Sequence, residues 1–140
     1  MDEPRQEAAR HAARRDEEKG RLIGLAGRIA HGWADKLGVA RDTVEWVAVG
    51  GAARTPLSAG VADSIHWLDG DAGIAFVLAA PGVMDLLFVV RGRGVAYWVN
   101  LSNNARPWDP GERLGLRADC QGDVKRLLDA AARYVRRSTS

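Results

Sequence analysis

With 140 residues, 46% of them hydrophobic, the chain has material for one modest core and therefore one domain. Twenty basic against 18 acidic side chains leave a net charge of only +2, no strong field for gathering polyanions, although 17 of the bases are Arg, whose planar fork suits phosphate oxygens. No apolar run approaches the roughly 18 residues of a membrane span and no apolar stretch follows the charged N-terminus, so a cytoplasmic protein with no membrane partner is expected.

Residues 1–19 mix six acids and five bases with alanines and offer no large apolar residue after Met1, which predicts a solvated arm that is helical at most by propensity. The globular domain is expected over residues 20–140. From Arg21 onward Leu22, Leu25, Ala26, Ile29, Trp33 and Leu37 recur at three- and four-residue steps, predicting an amphipathic helix with Gly38 just past its end. Thr43–Val49 reads as a first strand broken by Gly50-Gly51. Residues 51–63 read as loop, with a short helix open at Pro56. Ser64–Leu68 and Ile74–Ala79 read as strands around the acidic turn Asp69-Gly70-Asp71, and Pro81-Gly82 as a turn. Leu86–Val90 is almost wholly apolar, which predicts burial on both faces. Gly92-Arg93-Gly94 predicts a tight hairpin, after which Val95, Tyr97, Val99 and Leu101 alternate with Ala96, Trp98 and Asn100. Residues 102–112 read as a surface excursion. Leu114, Leu116, Ala118 and Cys120 alternate with polar residues as on a half-buried edge strand. Asp123 suits the cap of a closing helix whose apolar face is Val124, Leu127, Leu128, Ala131 and Val135. Its later part is basic.

Cys120 is the only cysteine, which excludes an internal disulfide and a cysteine zinc cage; as a lone thiol it reads as a small buried group. His11, His31 and His66 stand at no metal-binding helical spacing, so a zinc hydrolase is not expected. Trp33, Trp46 and Trp67 fall in core-like patterns, while Trp98 and Trp108 are the candidates for exposure and base stacking.

Gly82-Val83-Met84-Asp85-Leu86-Leu87-Phe88, the glycine hairpin, Tyr97-Trp98-Val99-Asn100-Leu101-Ser102 and a helix beginning at Gln121 together resemble the VRR-NUC branch of the PD-(D/E)xK nuclease superfamily. Gly51-Ala52-Ala53-Arg54-Thr55-Pro56 is similar to the small-residue segment such proteins carry after their first strand. The resemblance covers about residues 44–137. It implies an α/β (α+β), restriction-endonuclease-like fold, a mixed central sheet of five to six strands with an N-terminal and a C-terminal helix. It also implies Asp85 as metal ligand, with Asn100, Ser102 and Gln121 at the positions of the family's glutamate, lysine and glutamine. In such a site two carboxylates hold Mg²⁺ while the lysine orients and helps deprotonate water. Asn100 is neutral, Ser102 carries no positive charge, and Met84 replaces a proline. Mg²⁺ would be needed only by an active enzyme. No cofactor is required by the reading preferred on these residues, a nuclease-fold pseudoenzyme from a phage or mobile element that binds DNA or a protein partner. Arg91, Arg93, Arg106, Arg113 and Arg117 are its candidate phosphate contacts. The competing reading is a small α+β interaction module, such as an immunity protein, inhibitor or secretion chaperone. The two differ in topology: a mixed sheet with helices on both faces in the first, a meander covered on one side in the second.

Overall fold

The charged stretch at residues 1–19 and the apolar stripe after Arg21 belong to one helix, α1 (Glu3–Leu37), in the computed structural model. It describes residues 3–48, 54–57, 65–68, 71–103, 112–117 and 120–139. Alanine, arginine and glutamate favour the helical backbone along the first half. From Leu22 onward burial takes over, with Leu22, Leu25, Ala26, Ile29, Ala30, Trp33 and Ala34 fully buried. The predicted boundary at 19/20 thus falls inside a continuous helix. Gly38 ends it in the left-handed region (φ 71°). Its N–H donates to the Asp35 carbonyl and the Val39 N–H to the Ala34 carbonyl, both at 3.1 Å, a Schellman pair that satisfies two of the last free carbonyls.

Seven strands follow among the described residues: β1 (Glu45–Ala48), β2 (Arg54–Pro56), β3 (His66–Leu68), β4 (Asp71–Ala79), β5 (Leu86–Arg93), β6 (Ala96–Asn103) and β7 (Glu112–Arg117). They form one sheet in the order β2-β1-β4-β5-β6-β7, while β3 pairs with the start of β4. Every ladder among the described residues is antiparallel, in place of the mixed sheet expected. No connection between successive strands is long enough for a parallel crossover, which needs about a dozen residues or more. Pro56 closes the short strand β2 where a helix start was open. The β5–β6 reversal is a two-residue loop, Gly94-Val95, closed by the Arg93–Ala96 pair with Gly94 at φ 62°. The predicted features at residues 49–53, 58–64, 69–70, 104–111 and 118–119 lie outside the described residues. They include Gly50-Gly51, the Gly51-Ala52-Ala53 segment, the Asp69-Gly70 part of the turn, the excursion with Arg106 and Trp108, and Ala118.

α2 (Gln121–Thr139) closes the fold. Its buried face is Val124, Leu127, Leu128, Ala130, Ala131 and Tyr134, with Val135 half-buried against the core. Because the helix begins at Gln121, Asp123 lies in its first turn instead of capping it. The Asp123 carboxylate accepts the backbone N–H of Arg117 at 2.9 Å and so ties α2 to the end of β7. α1 and α2 pack on the same face of the sheet, where their apolar stripes join Ile74, Phe76, Leu78, Phe88, Val90, Tyr97, Val99 and Leu101 in one core. Within it Trp46, Phe76 and Phe88 stack in series, with ring centroids 3.9 and 5.3 Å apart. The architecture is α+β. No helix among the described residues is long and apolar enough to cross a membrane.

Candidate binding face

Side chains of a strand alternate between faces, so a core on one side leaves a second set on the other. In β5 the buried set is Leu86, Phe88, Val90 and Gly92, and the outward set is Leu87, Val89, Arg91 and Arg93. The burial on both faces expected for Leu86–Val90 is therefore not found: Val89 is 36% exposed, because both helices lie on the other side. The outward set of β6 is Ala96, Trp98, Asn100 and Ser102, and that of β7 is Arg113, Gly115 and Arg117.

The register arranges these residues in rows across the sheet. Gly73, Arg91, Trp98 and Gly115 form one row; Ala75, Val89, Asn100 and Arg113 form the next. Trp98 is 54% exposed, the most exposed large apolar side chain on the molecule among the described residues. Glycine opposite it makes room for the indole. A methyl group on Gly115 would lie 3.1 Å from Cζ3 of Trp98, so the ring extends over β7. The Arg113 guanidinium lies 4.6 Å from the ring centroid, a cation–π contact. On the other flank Asp71 meets Arg93 at 2.8 Å and Arg91 at 3.5 Å. Between them is a shallow hollow of about 490 Å³ bounded by Asp71, Val89, Arg91, Trp98, Asn100 and Arg113.

The residues predicted from the nuclease resemblance share this face in part. Asp85 is half-buried and immediately precedes Leu86, which pairs with Asn103, whereas Asn100 pairs with Val89. Four residues of strand, about 13 Å, separate Asp85 from the row of Asn100. Ser102 lies between them opposite Leu87 and is only 8% exposed. Gln121 opens α2 beyond the other end of the sheet, where Arg117 pairs with Ala96, roughly 25 Å along the strands from Asp85. Asp85 is the one carboxylate of the set, and no three His, Cys, Asp or Glu side chains gather to hold a metal among the described residues. These residues do not fit a Mg²⁺ ion, which usually relies on more than one anionic oxygen. Four of the five candidate phosphate contacts, Arg91, Arg93, Arg113 and Arg117, do stand together on the outward face; Arg106 lies outside the described residues.

On the helix side, Glu18 of α1 reaches the β5–β6 turn. It accepts the Gly94 N–H at 2.8 Å and the Tyr97 hydroxyl at 3.4 Å, while Arg21 donates to the Gly94 carbonyl at 2.9 Å. Burial, and then the Glu18 charge, push Tyr97 up to about 12. Asp123 is held below the usual carboxylate range by the Arg117 N–H and then Arg126, and Asp129 by its hydrogen bond from Lys36. Sequence reasoning missed Gly115 and Asp71 as shapers of the Trp98 surroundings. Both roles depend on strand register, which no local pattern carries. Compared with family models, curated proteins and solved structures, the chain matches none of them.

Proposed function

We propose that this chain is a non-catalytic binding module and that its partner is a polypeptide, taken on the outward sheet face beside Trp98. The observation that carries the reading is a half-exposed tryptophan held in a fixed pose on a sheet whose helices both lie on the opposite side. An exposed aromatic beside arginine is the composition of binding hot spots, because the indole presents a large rigid contact area and the guanidinium a planar fork of hydrogen-bond donors. Val89 and half-buried Leu87 continue the apolar surface from Trp98 toward β4, where Val77 on the same face is buried. The arginines on the Asp71 flank are matched by a carboxylate, which suits a mixed peptide surface better than a phosphate track.

Panning a random peptide library against the protein and against Trp98→Ala should enrich sequences that bind the parent and lose affinity by about thirtyfold in the variant, the ~2 kcal/mol of a typical hot spot. A single-stranded oligonucleotide should leave the tryptophan emission unchanged at physiological salt.

A nucleic acid is the second reading, and one observation favours it: Arg91, Arg93, Arg113 and Arg117 share a face with the exposed indole, the pairing that lets bases stack while phosphates are neutralised. In that reading the chain binds without cleavage, the antiparallel sheet with both helices on one face being unlike the mixed sheet that a restriction-endonuclease-like fold of the PD-(D/E)xK proteins would have. Oligonucleotide binding that quenches Trp98 and weakens steeply with added salt, with no peptide enriched, would replace the first reading by this one.

A further inference from the structure

β7 is the terminal strand of the described sheet, and α2 runs beside it on the core side. Between strand and helix is a hollow of about 520 Å³, floored by Leu114, Leu116 and Leu127 and rimmed by Arg113, Arg126 and Arg133. Terminal strands present N–H and C=O groups along one edge that a further strand can satisfy. On β7 the last position is already used, because the Arg117 N–H donates to the Asp123 carboxylate and the Arg117 carbonyl accepts the Cys120 N–H, which leaves the stretch before Arg117.

The charges around this edge select what could be added. Two carboxylates border the hollow, and both are engaged: Asp123 with the Arg117 N–H and Arg126, Asp129 with Lys36 at 2.5 Å. Arg113 makes no ion pair with a carboxylate among the described residues, while Arg133 shares Asp129 with Lys36, which holds the closer contact. On the outward face β7 carries only Arg113, Gly115 and Arg117. A second copy adding antiparallel with its outward face aligned would oppose Arg113 to Arg113 or to Arg117 in some registers, and like charges directly opposite each other are destabilising. In the registers that set an arginine opposite Gly115, the arginines of the two copies lie on the diagonal and still repel, so an acidic strand is favoured over a second copy. Acidic side chains at the same positions would be attracted, and one of them would lie beside the Trp98 indole where it extends over Gly115.

We propose that β7 takes an extended segment of a partner protein as an added strand. A carboxylate meets Arg113 on the outward face, and the neighbouring apolar side chains enter the hollow over Leu114, Leu116 and Leu127. The proposal rests on the polypeptide reading above and specifies the partner's chemistry and the edge it uses.

The probe is a synthetic peptide of alternating Asp and Val, compared with a scramble of the same composition, an alternating Lys and Val peptide, and two N-methylated forms that block alternate sets of backbone N–H groups. The alternating acidic peptide is expected to bind and to slow hydrogen exchange at residues 112–117. One N-methylated form should lose binding by tenfold or more, because its blocked N–H groups face β7, while the other retains it. Arg113→Glu and Arg133→Glu, both at exposed positions, should each weaken the acidic peptide by about tenfold and strengthen the Lys-Val peptide. Equal binding by the scramble or by both N-methylated forms, or unchanged exchange at residues 112–117, would overturn strand addition. If the acidic peptide fails while library peptides still depend on Trp98, strand addition alone falls. If no peptide binds in a Trp98-dependent way, the polypeptide reading falls with it.

Discussion

Tyr97 joins the first helix to the central hairpin, and its ionisation gives that joint a pH signature. Its folded pKa of about 12 stands above the ordinary 10.0, chiefly through burial and then through the Glu18 charge. The folded chain therefore holds this proton more tightly than the unfolded chain. The stabilisation is fully present below about pH 10 and is lost as pH rises toward about 12. Urea midpoints measured across that window should fall, and Tyr97→Phe should flatten the decline while costing about 0.5–1.5 kcal/mol at neutral pH for the lost hydrogen bond. Asp123 has the opposite sign. Its depressed pKa contributes stability above the usual carboxylate range that is lost as pH falls, so Asp123→Asn should remove part of the acid-side dependence. At this scale the sequence was partly informative. The alternation of Tyr97 and Val99 with Trp98 and Asn100 places Trp98 outward, as expected, but the stacking of Arg113 on the indole needs the β6–β7 register. The reading of Asp123 as the cap of the closing helix does not hold: the helix begins at Gln121, and the carboxylate accepts the N–H of Arg117 at the end of β7, a tie that depends on how helix and strand meet.

Helix α1 shows what propensity and periodicity do and do not convey. The amphipathic half was visible because burial imposes a three-to-four-residue repeat, and the Gly38 stop because only a left-handed residue closes a Schellman pair. The continuation through the charged stretch was not, since its contacts are single and long-range: Glu18 to the Gly94 N–H, and Arg15 5.2 Å from the Trp67 ring centroid. β2 was missed for a related reason, as a three-residue strand exists only through its ladder with β1. α1 also contains exposed Gly24, with no atom within 4 Å of where a Cβ would stand, so Gly24→Ala should raise stability by about 0.5–1 kcal/mol in urea or thermal melts. Gly32→Ala should gain less or nothing. There the new methyl would fall 2.5 Å from Cδ1 of Leu128, where α1 meets α2.

For the molecule as a whole, the packing of both helices on one face of an antiparallel sheet decides where the core sits. The stacked Trp46, Phe76 and Phe88 join three strands under the helices. Phe76→Ala, which removes the middle ring, should cost about 3–5 kcal/mol in urea unfolding, a large part of what a domain of this size has. Composition and periodicity gave the class, two terminal helices around a sheet, but not the side on which the helices lie. The apolar run Leu86–Val90 misled because Leu87 and Val89 look like core residues until topology leaves their face open. That same openness would ordinarily make a lone surface indole a point of unwanted self-adhesion. The guanidinium stacked on it acts as a screen: it covers one ring surface with a positive charge. Stripping the screen with Arg113→Ala should leave the fold intact yet lower solubility, seen as light scattering at concentrations where the parent protein stays clear.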